Sequence, residues 1–216
     1  MTPFEITTQY ITPVPTMLYG LKYFPSLEPH CSNDQDSPNW GWHTPVEEVT
    51  DCNVAAVGSV MSRIANTCQA ILEIGVSRNP GNTTTQVFLG KKSPSCVYLG
   101  VDLDDKSMLD NADLNIHTLR VSSHDKVAIR TRLKSLGVYQ LDCIMIDGWH
   151  SVNTCVNDWG FVDLLSPSGV VLLHDTNAHP GCVALYNAVD EAMFTKERLC
   201  TGSDDHGISV FWHRAG

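Results

Sequence analysis

Four residues at the ends of two apolar runs carry the chemistry this sequence offers. Residues 141–150 read Leu-Asp-Cys-Ile-Met-Ile-Asp-Gly-Trp-His, an apolar run that passes straight into Asp147, a glycine and His150. Residues 169–175 read Gly-Val-Val-Leu-Leu-His-Asp and repeat the pattern, ending in His174 and Asp175. Short runs rich in branched side chains and bounded by glycine read as buried strands of a parallel sheet. Open α/β sheets bind ligands just beyond the carboxyl ends of such strands. Two adjacent strands would therefore aim Asp147, His150, His174 and Asp175 into one crevice. Carboxylates and imidazoles together can ligate a divalent cation, and a histidine, with a free pKa of about 6.5, can take a proton at neutral pH. The alternative for each aspartate is a cap on the following helix, an ordinary role for one such residue. The doubled pattern argues for a site instead.

Bulk properties narrow the substrate. The chain of 216 residues suits one domain with a substantial core. Its formal charge of -10 argues against a phosphate-binding surface, because nucleic-acid binders cluster Lys and Arg. A small-molecule substrate is the expectation, with no nucleic-acid or membrane partner. Self-association as a homo-oligomer is left open. No stretch approaches the roughly 20 apolar residues of a membrane span. The N-terminus lacks the basic-then-apolar order of a signal peptide. Of the eight cysteines, Cys143 falls in a strand, Cys68 and Cys155 fall on helical patterns, and no C-x-x-C pair occurs. Buried free thiols in the cytoplasm are the expectation.

The elements that must position these groups follow from the rest of the pattern. Residues 1–43 are proline-rich and read as an N-terminal arm or cap, with a short helix over 17–24 and aromatic side chains available to line a pocket. Residues 44–216 form the main domain. Thr44, Pro45 and Glu47 mark a helix start, and apolar spacing carries that helix to about Asn66. A strand over 70–74 ends in Glu73 and Ile74, an acid in an otherwise apolar run. Gly75 follows, where a ligand could approach the backbone. The loop from Gly75 to Gly81 lacks the middle glycine of the dinucleotide-binding pattern and the Gly-Lys-Ser/Thr of a Walker loop. A helix to about Leu89 and a strand over 97–102 come next. Asp102 at that strand's end can accept hydrogen bonds from both hydroxyls of a ribose. A weak helix over 105–112, a strand over 116–121 and a helix ended by Gly137 precede the run at 141. Beyond it we expect a helix over 151–164, a turn over 166–169, the fifth strand, and a helix after Pro180-Gly181. Two terminal strands near 198–201 and 207–212, joined at 202–205, finish the chain.

Glu73-Ile74-Gly75 after the first strand, Asp102 after the second, Asp147 after the fourth and a terminal hairpin resemble class I S-adenosylmethionine-dependent methyltransferases over about residues 44–213. Asp147-Gly148-Trp149-His150, Leu164-Leu165-Ser166-Pro167-Ser168-Gly169 and His174-Asp175-Thr176 resemble the small-molecule O-methyltransferases, the macrolide-sugar and cephalosporin-pathway branch in particular. The resemblance implies an α/β, Rossmann-like, seven-stranded sheet flanked by helices. It is mostly parallel, in the order 3-2-1-4-5-7-6, and reverses between the first and fourth strands as right-handed crossovers require. It implies S-adenosylmethionine as cofactor, held by Glu73, Gly75, Asp102 and Asp147, with Ser123 and Asp125 near adenine. It implies a metal held by Asp147, His174 and Asp175, magnesium or manganese, and His150 as general base. His174 stands where the family has an acid, which suits a borderline ion such as manganese better than an all-oxygen set does. Two other readings remain: a nicotinamide-dependent oxidoreductase, disfavoured by the missing glycine, and a catalytically inactive binding protein on the same scaffold.

Overall fold

The computed structural model describes residues 18–25, 54–77, 84–177, 179–199 and 207–214. A seven-stranded sheet forms its middle layer, built from β1 (Ala70–Ile74), β2 (Val97–Asp102), β3 (Ile116–Arg120), β4 (Leu141–Ile146), β5 (Leu165–His174), β6 (Phe194–Arg198) and β7 (Ile208–His213). The order is β3-β2-β1-β4-β5-β7-β6, and β7 alone runs antiparallel to its neighbours. This is the expected order, with the reversal between β1 and β4.

Helices cover both faces, which is why the central strands are apolar on both sides. Every residue of β1 is buried. Ile71, Tyr98, Cys143, Met145 and Leu172 point to the face covered by α1 (Val54–Thr67) and α2 (Thr84–Lys91). Leu72, Ile74, Leu99, Ile144, Ile146 and Leu173 point to the other face. There they pack with α3 (Lys126–Ser135), α4 (Val152–Trp159) and α5 (Pro180–Ala188). Asp125 starts α3 by accepting the Ala128 N–H at 3.0 Å, and Gly137, at φ 77°, follows its end. Cys68, Cys96, Cys143, Cys155 and Cys182 are buried free thiols, as expected.

Several boundaries differ from expectation. Only two 3-10 turns, Ser107–Leu109 and Ala112–Leu114, stand in place of a helix over 105–112, because that stretch has no apolar face to bury. Helix α4 ends at Trp159, with Gly160 breaking it before a further 3-10 turn. The fifth strand begins at Leu165 rather than after a turn: Leu165 pairs with Leu141, the register then shifts, and pairing resumes at Val170. The sixth strand lies at Phe194–Arg198, earlier than 198–201, and β7 runs to His213. Residues 18–24 form a turn and a bridge from Leu21 to Val189, not a helix. They fasten to the far end of the domain, with Trp159 Nε1 donating to Tyr19 O at 2.9 Å and Lys22 N to Ala188 O. Tyr19, Tyr23 and Phe24 thus lie away from the strand carboxyl ends. The helix start at Thr44 and the turn at 202–205 lie outside the described residues.

The backbones that follow β1 and β4 stay in contact where the two strands end. Gly75 N donates to Val101 O at 2.9 Å, and Asp147 N donates to Ile74 O at 2.8 Å. Gly75 sits at φ 84°, and a Cβ there would lie 2.1 Å from the Asp147 carbonyl oxygen. Both the torsion and the space demand glycine. Gly75→Ala should therefore cost roughly 2–4 kcal/mol in urea unfolding. Gly90→Ala, exposed in the last turn of α2 with nothing within 4 Å of its Cβ, should be neutral or stabilise by up to about 1 kcal/mol.

Candidate functional site

Strands β4 and β5 pair through Ile146 and Leu173, so the residues just beyond them emerge together. His174 Nδ1 lies 3.3 Å from Asp147 Oδ1 and 2.9 Å from Asp175 Oδ1. Asp175 is 4% exposed and adopts a left-handed φ of 61°, an uncommon conformation for a residue with a side chain. That turn swings its carboxylate under the neighbouring loop. His150 comes down from the β4–α4 loop, one residue before Ser151, which caps α4 by accepting the Thr154 N–H at 3.2 Å. His150 Nδ1 lies 3.1 Å from Asp175 Oδ2, and its Nε2 lies 3.6 Å from Asp147 Oδ1. That Nε2 is buried and makes no hydrogen bond. The four residues read from the strand ends do form one cluster.

A fifth joins them. His179 Nε2 lies 3.7 Å from Asp175 Oδ2, and its ring centre lies 4.4 Å from that of His150. What brings it in is Gly181: a Cβ there would lie 2.1 Å from His150 O, so α5 seats its first turn directly on the backbone of the β4–α4 loop. A glycine beside the helix-starting Pro180 was the available signal, and it does not reveal its partner.

The remaining site residues lie along the same edge but are separately engaged. Glu73 is fully buried, on the α1/α2 side of β1. Its Oε1 accepts from Thr85 Oγ1 at 2.9 Å and Thr84 Oγ1 at 3.2 Å, and its Oε2 accepts from the Tyr98 hydroxyl. Tyr98 reaches it because Gly100, beside Glu73 in the register, has no side chain: a Cβ there would lie 3.0 Å from the phenol oxygen. Burial raises the Glu73 carboxyl to about 7, and the Tyr98 and Thr85 hydroxyls only partly offset it. Asp102 uses both oxygens on backbone, accepting Val76 N at 2.9 Å and Asp104 N at 2.7 Å. It thereby fastens the loop that carries Gly75. Asp125 is occupied as the α3 cap, and Ser123 O accepts from Asn157 Nδ2 at 3.0 Å. Neither reaches the histidine cluster. Sequence reasoning also passed over Asp158, buried on α4 and raised by desolvation to about 6. Its Oδ2 has no hydrogen-bond partner.

No protein-family model matches the sequence, and no curated protein matches it at a significant level. Solved structures match in fold. The MycE methyltransferase of the mycinamycin biosynthetic pathway, in complex with Mg, SAH and mycinamycin VI, aligns at TM-score 0.57 and 17% identity over 82% of this chain. The chain spans about half of that protein, 51% of its length. A Klebsiella pneumoniae protein assigned as an O-methyltransferase aligns at TM-score 0.52 and 16% identity, over 76% of this chain and 81% of its own. A Clostridium thermocellum protein assigned as an rRNA methylase aligns at 0.55 and 10%, over 74% and 96%. The shared feature is the fold of class I methyltransferases.

Glu73 gives a pH signature. Its folded pKa is raised above the unfolded value, so the native state binds more protons between about 4.5 and about 7. Its contribution is fully present below that window and is lost as pH rises through it. Glu73→Gln should match wild type near pH 4.5 and exceed it at pH 8 by up to about 3 kcal/mol, at 1.36 kcal/mol per pKa unit. Urea unfolding of both proteins at the two pH values measures the difference.

Proposed function

We propose that the chain is an S-adenosylmethionine-dependent methyltransferase acting on a hydroxyl oxygen of a small molecule, assisted by a divalent cation. The observation that supports this most is the convergence of Asp147, His150, His174 and Asp175 at the β4–β5 strand ends, beside the close approach of Gly75 to Asp147. A proton acceptor and a ligand set stand next to the switch point of a methyltransferase-type sheet.

Each residue has a task. Asp147 Oδ1, His174 Nδ1 and Asp175 Oδ1 would hold the cation; successive donors 3.3 and 2.9 Å apart fit bonds of about 2.1 Å. A bound divalent ion lowers the pKa of a coordinated hydroxyl. Asp175 Oδ2 beside His150 Nδ1 favours the tautomer protonated there, which leaves the Nε2 lone pair to accept the substrate proton. Asp102 would take the ribose hydroxyls: an ionised carboxylate has about four acceptor positions, and the two amides leave others open. Gly75 and Glu73 shape the loop against the methionine portion, Asp147 borders it, and Ser123 and Asp125 flank the adenine side. The formal charge of -10 favours a small acceptor over a nucleic acid. Among the described residues no helix is long and apolar enough to cross a membrane. We place the protein in the cytoplasm, with residues 1–43 as an arm on the domain of 44–216.

Binding separates this reading from its alternatives. In calorimetry S-adenosylhomocysteine should bind the wild type and nicotinamide dinucleotides should not. The reverse outcome would install the oxidoreductase reading, and binding of neither the inactive scaffold. Asp102→Ala, checked for folding by circular dichroism, should weaken S-adenosylhomocysteine at least about tenfold. With labelled cofactor and a panel of small hydroxyl acceptors, His150→Ala should keep cofactor and metal yet lose roughly 10²–10⁴ in turnover. Asp147→Ala should lose metal binding and metal-dependent turnover together.

A further inference from the structure

We propose that His150, Asp175 and His179 form a second cation site, selective for a borderline transition ion such as zinc or cobalt(II). One ligand atom from each of the three residues lies within 4.8 Å of the others, and His150 Nδ1 and His179 Nε2 both face Asp175 Oδ2. The two nitrogens lie 3.1 and 3.7 Å from the shared oxygen. Donors on a tetrahedral zinc with bonds of about 2.1 Å stand about 3.4 Å apart, so these values bracket the requirement. Small side-chain rotations would complete it.

Asp175 separates this trio from the other. Its Oδ1 faces His174 and Asp147, while its Oδ2 faces His150 and His179. One carboxylate thus presents one oxygen to each of two ligand sets, as bridging carboxylates do in two-metal centres. The sets differ in softness: Asp147, His174 and Asp175 offer two oxygens and one nitrogen, and the trio with His179 offers one oxygen and two nitrogens. Imidazole-rich sets favour zinc, cobalt and nickel over magnesium.

The fold builds the trio with three specific contacts. The left-handed turn at Asp175 aims its carboxylate inward, and His179 N closes the following turn on Asp175 O at 3.0 Å. Gly181 then lets α5 rest on His150 O, setting the two imidazole rings 4.4 Å apart. His179 occupies the N-cap position of α5, yet its side chain makes no capping bond. Its imidazole faces the shared oxygen instead.

The site stands on this geometry and does not require methyl transfer: an ion on His150 Nδ1 takes the place of the proton that nitrogen carries when Nε2 serves as base, so the two states of His150 exclude each other. Its test uses the full chain, stripped of metal by chelator and titrated with cobalt(II) chloride under visible ligand-field absorption. The wild type should bind cobalt, and His179→Gln should weaken it at least about tenfold. His174→Gln should leave this affinity nearly unchanged. Zinc titration of the wild type, followed by ring ¹⁵N shifts, needs no variant: His150 Nδ1 and His179 Nε2 should report metal. Absence of cobalt binding overturns the proposal, as does binding that survives His179→Gln but not His174→Gln, or a zinc shift confined to His174. S-adenosylhomocysteine affinity on the same samples reports separately on the methyltransferase reading.

Discussion

A carboxylate shut away from water must be met by hydrogen bonds or positive charge, and at the top of this sheet that requirement falls on Asp175. It is 4% exposed and is surrounded by imidazoles from three places: its own neighbour His174, His150 on the β4–α4 loop and His179 at the start of α5. All three of those segments thus meet at this one side chain. The unusual torsion at Asp175 has a local explanation, since without it the carboxylate would not turn under the loop.

The domain buries a second acid, and it meets the same requirement differently. Glu73 lies on the α1/α2 side of β1 and accepts hydrogen bonds from three hydroxyl groups. Hydroxyls stabilise a carboxylate less than a cation does, so burial wins and the group holds its proton toward neutral pH. Two glycines make the two environments compatible. Gly75 lets β1 and β4 touch, while Gly100 clears a path for the Tyr98 phenol. Main-chain contact takes the place of side-chain packing at the first, and the Val76 and Tyr98 side chains fill the space at the second.

How much of this was legible depended on what each signal encodes. The central strands β1, β2 and β4 were readable to the residue, because burial on both faces leaves a run that is apolar but for an occasional acid or glycine. β6 was not: Phe-Thr-Lys-Glu-Arg has one apolar residue, and its strand character comes from pairing with β7. The start of β5 was hidden because Leu165 pairs with Leu141 across a register shift that no local pattern marks. Asp147, His150, His174 and Asp175 were legible as a group, since strand ends in a parallel sheet share one edge. The place of His179 depended on the fit of Gly181 against His150, a contact made only in three dimensions. Glu73 could be seen as unusual, but its partner Tyr98 could not, because their meeting turns on the atoms Gly100 lacks.

The strand order has a consequence for how the chain is made. β1 lies inside the sheet, yet one of its partners, β4, is specified long after it. On a ribosome adding roughly 5–20 residues per second, β1, β2 and β3 emerge first, and the β4-facing side of Ala70–Ile74 waits on the order of seconds for its neighbour. During that interval an apolar strand presents unpaired amides and carbonyls, the arrangement most apt to recruit a strand from another chain. The burial that places β1 inside the finished sheet makes it the segment for which a growing chain most needs protection.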